Sequence, residues 1–304
     1  NLDGWFGHSL DSRRMLYANK EIPRHRFIAL RAFNQRFIRL PDRFKTVFSY
    51  AYADFTGALA SLNIFSQSFY KTNFIYGFGR SEDIPKGFTV AFTIGYVNKQ
   101  GIKRPYSGID AQFSNFMKKG SYGNYTFRLG GYYSNKRFED VDMLFNMEHF
   151  THLAKMSARW YRRAFFTSGI SAQVNPRLNS PLFLNSIYGL PYFDNGSIQA
   201  DMRASVKGET VFYNTHKILG FRLAPFVFGD VSLLKPAKMG LGKSDIFSAI
   251  GGGVRTRNEN LVFGTIELRG YYFPRTNGDM KAWKVELNSN IRFRYKSSFI
   301  SRPD

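Results

Sequence analysis

His149 and His152, with Glu148 beside them, are residues of the types that hold a metal ion. Their spacing argues against it, because on a strand residues three apart point to opposite faces and cannot share one ion. His8-Ser9 with Asp11 nearby supplies the groups of a serine hydrolase, yet no nucleophile elbow and no oxyanion glycine pattern surrounds them. Gly77-Phe78-Gly79 lacks the third glycine and the following helix that a dinucleotide site needs. No catalytic constellation survives, so the chain is expected not to be an enzyme and to use neither cofactor nor metal. The charged residues that remain point to pairing rather than catalysis. Arg203, Arg222, Arg255, Arg257, Arg269, Arg292 and Arg294 share their segments with Asp201, Glu209, Asp230, Glu267 and Glu286. Two outcomes are open to them: a network of ion pairs filling a wet interior, or an electropositive passage or surface for anionic lipid.

Strands must position these side chains. From Val285 to Lys296, Val285, Leu287, Ile291, Phe293 and Tyr295 fall on one side, while Glu286, Asn288, Asn290, Arg292, Arg294 and Lys296 fall on the other. Only a strand sorts side chains with a period of two. Leu261 to Tyr272 repeats the pattern, with Val262, Ile266, Leu268 and Tyr272 opposed to Thr265, Glu267 and Arg269. Such strands reach about ten residues, the span of a tilted transmembrane β-strand, where globular strands average about half that. The 304 residues contain 32 Phe and 18 Tyr, no Cys, and no apolar run long enough for a membrane helix. A mean hydropathy of -0.32 fits an all-β transmembrane antiparallel barrel, oily outside and wet inside, better than a large soluble sandwich or propeller. The net charge of +21, from 43 Lys and Arg against 22 Asp and Glu, is scattered over strands and loops without an RNA-binding signature, so no nucleic-acid partner is expected.

About fourteen strands are legible. Going back from the C-terminus they are expected at 283–296, 261–273, 245–257, 221–234, 197–213, 155–174, 140–151, 122–135, 106–118, 87–98 and 70–78, with three or so more between Arg26 and Gln67, where Pro41-Asp42 marks a turn. Short turns are expected to alternate with long loops, which would set the C-terminus on the periplasmic side. Residues 1–24 read as an irregular segment and 25–304 as one barrel domain. The chain opens at Asn1 without the marks of a leader, and is expected to be a processed form or a fragment.

The longest connection, NPRLNSPLFLNSIYGLPYFDNG from Asn175 to Gly196, is the least porin-like stretch. Ile187-Tyr188-Gly189-Leu190, then Asp194, precede a strand with Lys207-Gly208-Glu209. FVFGDVS at 226–232, Gly251-Gly252-Gly253-Val254-Arg255 and ENLVFGTIELRGYYFPR at 259–275 follow in order. Over about Tyr70 to Tyr295 this resembles the C-terminal surface-antigen barrel of the BamA/TamA/FhaC outer-membrane assembly and secretion superfamily, in its Bacteroidota-like version. The resemblance implies sixteen strands in the bacterial outer membrane, preceded by periplasmic polypeptide-binding modules. It also implies a lumen loop whose tip carries an Arg-Gly pair, the Arg meeting acids on the barrel wall. Gly189 matches that Gly; Glu209 and Asp230 resemble the wall acids, with Glu267 and Arg269 beside them. Tyr188 stands where the Arg should be, and a phenol cannot make the bidentate pair of a guanidinium. Arg177 is the alternative cation nearby in sequence.

The function expected first is insertion or secretion of polypeptides without nucleotide hydrolysis. The physical basis is a seam between first and last strands whose unpaired backbone groups accept a client strand; Gly251 to Gly253, Gly264 and Gly270 lie near that end. Expected partners are outer-membrane lipid and lipopolysaccharide, client polypeptides, and periplasmic or lipoprotein subunits. The alternatives are an anchor displaying an upstream domain and a passive, anion-favouring pore.

Overall fold

A computed structural model describes residues 1–11, 24–44, 48–75, 77–79, 81–194, 198–258, 265–289 and 302–303. In chain order the strands are β1 (Leu2–Ser9), β2 (His25–Gln35), β3 (Phe55–Thr72), β4 (Glu82–Lys99), β5 (Ile102–Phe116), β6 (Tyr122–Ser134), β7 (Arg137–Phe150), β8 (Ala154–Lys155), β9 (Trp160–Val174), β10 (Leu182–Phe183), β11 (Gln199–Ala200), β12 (Met202–Asn214), β13 (Lys217–Ile218), β14 (Phe221–Lys235), β15 (Asp245–Asn258), β16 (Ile266–Tyr272) and β17 (Trp283–Ser289). The chain is all-β. Every neighbouring long strand pairs antiparallel in one 15-stranded sheet running β1-β2-β3-β4-β5-β6-β7-β9-β12-β14-β15-β16-β17. The two-residue β8 and β13 fold back on β9 and β14, and β10 pairs with β11 apart from the sheet. Among the described residues the sheet stays open between β1 and β17.

The period of two sorts side chains as the sequence predicts. In β17, Val285 and Leu287 are 73% and 72% exposed on the outer face, while Lys284 and Glu286 pair on the inner one at 2.8 Å. The same outer face carries Leu30, Ile94, Phe113, Phe145, Ile170, Val227, Ile250 and Leu268, so exposed apolar side chains follow the sheet from β2 to β17. Charged side chains bridging the interior show that the sheet curls on itself. Lys99 of β4 reaches Asn179 at 3.1 Å, and Lys284 of β17 reaches the Tyr192 carbonyl at 3.2 Å, both in the connection between β9 and β12.

Several expectations change. Residues 1–24 are not irregular throughout: β1 pairs with β2 along its whole length, Leu2 opposite Asn34 to Ser9 opposite Phe27. LDGWFGHS is too short and glycine-rich to declare a strand by pattern, and the partner supplies what propensity does not. The strand expected at 70–78 ends at Thr72, because β3 is one long strand from Phe55, and the chain then turns inward at Phe74 with φ 56°. Among the described residues of 26–67 the strands are β2 and most of β3, two rather than three. The alternation of short and long connections breaks as well. The two-residue turns Gln100-Gly101 and Asn135-Lys136, with φ positive at each residue as tight hairpins require, lie at the same rim as the long connection 175–201. Loop length therefore does not assign the two rims to sides. The expected residues 290–296 of the last strand, Arg292 and Arg294 among them, and Gly264 lie outside the described residues.

Candidate functional site

Two segments enter the interior from opposite rims. From the long-loop rim, 175–194 folds inward, and Leu184, Leu190 and Phe193 reach 0% exposure. Asp140 anchors its start: one carboxylate oxygen accepts the N–H groups of Arg177, Leu178 (2.8 Å) and Asn179 (3.3 Å). From the opposite rim, residues 73–75 and 77–79 bring in Phe74, Ile75 and Phe78. Glu82 accepts the Ile75 and Gly77 N–H groups, both at 2.8 Å, and Tyr213 donates its hydroxyl proton to the Ile75 carbonyl at 3.0 Å. Phe74, Phe78, Leu184, Leu190 and Phe193 belong to one buried cluster with Tyr213, Phe226, Phe228, Phe247, Tyr271 and Phe273 from β12 to β16 and the residue after it. Half of the interior is therefore an aromatic core. The other half, under β3 to β9, keeps a polar cavity of about 620 Å³ lined by Ser61, Thr93, Gln112, Arg128, Gln173 and Tyr188, among others.

The wall residues singled out from sequence fall into two groups. Glu209, Glu267 and Arg269 join Arg255 in a closed ring of ion pairs: Arg255 to Glu209 at 2.7 Å and to Glu267 at 2.7 Å, Arg269 to Glu209 at 2.6 Å and to Glu267 at 2.9 Å. Both guanidinium groups lie over the Phe226 ring, 4.5 and 4.7 Å from its centroid. The register explains why these three do not bind the loop tip. Arg255 stands opposite Glu267, and Arg269 faces Gly253, so the wall supplies its own arginines at the level of its acids. Gly253 is required there, since a Cβ would overlap the Leu268 carbonyl oxygen and press on the Phe226 ring.

Asp230 does meet the loop, but through Tyr192, whose hydroxyl donates to its carboxylate. Burial, reinforced by that carboxylate's charge, pushes the Tyr192 phenol well above the ordinary tyrosine value. Tyr188 is not a lock: its phenol lines the polar cavity, where burial raises its pKa, and its carbonyl accepts the Ser205 hydroxyl. Lys207 donates to the Ile187 carbonyl at 2.7 Å. Gly189 sits against the Leu184 carbonyl oxygen, which an added Cβ would overlap. Leu190 is core, and Asp194 pairs with Lys284 at 2.6 Å. Arg177 reaches Glu139 at the rim, at 3.3 Å, rather than Glu209 or Asp230. The loop thus docks by carbonyls, a phenol, apolar side chains and the Asp194–Lys284 ion pair.

Sequence reasoning missed Tyr192, Phe193, Lys284 and the whole 73–81 plug. A signal existed: PLFLNSIYGLPYF is too apolar for a loop in water. Arg302 pairs with Asp3 at 2.7 Å, and Arg31 donates to the Pro303 carbonyl at 2.9 Å, so residues 302 and 303 rest on β1 and β2. His149 lies in β7 and His152 beyond its end; among the described residues no three His, Cys, Asp or Glu side chains gather as a metal site. Neither a protein-family model nor a curated protein matches this chain.

Proposed function

We propose that this chain is a β-barrel of the bacterial outer membrane, of the protein assembly and translocation superfamily, that guides polypeptide strands at its lateral margin. One observation carries the reading: packed segments enter the interior from both rims while, among the described residues, strand pairing stops between β1 and β17. Packed aromatic rings fill the lumen under β12 to β16, and the sheet edge offers backbone donors and acceptors that can take up another chain. The apolar outer face supports the membrane setting. A soluble monomer rarely exposes more than a few hundred Å² of contiguous apolar surface, and here such residues recur on every long strand from β2 to β17. Outer-membrane lipid and lipopolysaccharide would cover that face, and client polypeptides, with any periplasmic or lipoprotein subunits, would be the partners. The filled interior speaks against a passive pore.

The test places a photo-crosslinking side chain at Phe6 on β1, Leu287 on β17 or Phe166 on β9, all outward-facing. Reconstituted protein is then offered an unfolded outer-membrane β-protein. Crosslinks at 6 and 287 should exceed those at 166 several-fold. Equal yields at all three positions would remove the lateral role and favour the anchor alternative.

A further inference from the structure

Three successive connections at the rim opposite the long loop, 117–121 (MKKGS), 151–159 (THLAKMSAR) and 215–220 (THKILG), contain no Asp or Glu, whereas on the long-loop rim the acid-free 236–244 (PAKMGLGKS) stands between 175–201 and 273–282, which carry Asp194, Asp201 and Asp279. They sit side by side, since the register runs level from Phe116 through Tyr122 and Phe150 to Phe165, and the Thr215 N–H donates to the Arg159 carbonyl at 3.0 Å. Lys119, Lys155, Arg159, Lys217 and the outward Arg162 of β9 are exposed there. Exposed apolar side chains stand among them: Met117, Met156, Ile218 and Leu219. The adjoining plug brings Glu82 and Asp83, but Glu82 caps that plug and Asp83 faces Lys71 across the β3–β4 pair.

Leu219 is the most telling residue. It occupies the tip of the β13–β14 hairpin with φ 50°, followed by Gly220 at φ 82°, a turn that favours Asn-Gly. A leucine there is strained, and at 94% exposure it packs against nothing in the chain. Neither turn chemistry nor the fold accounts for it.

We infer that this rim is a lipid-headgroup docking surface, in which the Lys and Arg side chains bind anionic phospholipid phosphates while Leu219, Ile218, Met156 and Met117 dip into the acyl boundary. The inference rests on the membrane setting proposed above and adds which rim meets anionic phospholipid and by which residues. Lipid is favoured over an acidic protein because the cations alternate with apolar tips and run directly into the apolar outer face at Phe166 and Phe113.

Trp160 opens β9 beside Arg159 and reports on this rim. With Trp5 and Trp283 changed to Phe, it becomes the sole tryptophan of the chain. The protein is reconstituted in phosphatidylcholine vesicles containing equal fractions of brominated phosphatidylglycerol or brominated phosphatidylcholine. Quenching of Trp160 should be at least about twofold stronger by the brominated phosphatidylglycerol at low salt, the preference vanishing at 1 M salt, roughly a 3 Å screening length, and in Lys119→Glu/Lys155→Glu/Lys217→Glu. Leu219→Asn should keep the hairpin and reduce quenching by both lipids. Equal quenching by the two lipids, unchanged in the triple variant, overturns the headgroup assignment and leaves the membrane setting standing. No quenching by either lipid removes the membrane setting itself, and the headgroup assignment with it.

Discussion

Gly189 and Tyr192 carry the docking of the long loop, and each makes a distinct prediction. Gly189→Ala puts a methyl group onto the Leu184 carbonyl oxygen, with the Arg203 side chain close by and little room for the backbone to yield. Overpacking of this kind costs about 1–3 kcal/mol. The chain has no Cys, so a Ser186→Cys probe, whose Oγ position is buried, gives a clean readout of loop release. Maleimide labelling of that probe should accelerate in Gly189→Ala; an unchanged rate would mean that the loop is held elsewhere. Tyr192 adds a pH dependence. Its pKa is raised in the folded state, so the stabilisation it provides is complete below the ordinary tyrosine value of about 10 and is lost as pH rises above it. Labelling of Ser186→Cys, corrected for thiolate content with an exposed reference cysteine, should rise between pH 9 and 11 in the parent and stay flat in Tyr192→Phe. Tyr188 and Arg177, the residues the loop's resemblance brought forward, should leave that profile unaltered when changed to Phe and Lys, because their contacts are to the cavity and to Glu139.

At the scale of elements, the pattern of alternation located most long strands to within a few residues, among them β14, β15, β6 and β7. A strand half buried on each face writes its own period. The segments that failed are those whose structure is imposed from outside. β1 is a strand because β2 is beside it, and 73–79 turns inward because Glu82 and Tyr213 satisfy its backbone and the aromatic core takes its rings. That plug has a simple test. Glu82→Ala leaves two buried N–H groups without their acceptor, at a cost of about 1–3 kcal/mol each, more where the lost acceptor is charged. Proteolysis between residues 73 and 81 should speed up at least about tenfold in this variant, with the rest of the sheet intact; equal cleavage in the parent and in Glu82→Ala would show that the aromatic packing alone holds the plug.

For the whole molecule, the two plugs predict electrical silence. In planar bilayers the intact protein should pass no steady current, and removal of 182–193 should not open a wide channel, since Phe74, Ile75 and Phe78 still close the opposite rim. A large steady current in the intact protein would show that the aromatic core is not a barrier. The sequence by itself determined the all-β class, the alternation of side-chain direction along the strands it located, and the presence of both signs of charge on their inward faces. These follow from local geometry, because successive residues of a strand alternate faces whatever surrounds them. The tertiary structure alone decided which inward residues meet. Arg255 and Arg269 close on Glu209 and Glu267, so the wall leaves no acid of that pair for the loop. Tyr192 finds Asp230, and Lys284 finds Asp194, across separations of 38 and 90 residues. Such contacts depend on register and on how far the sheet curls, and those are set by the pairing of all the strands together rather than by any stretch of sequence.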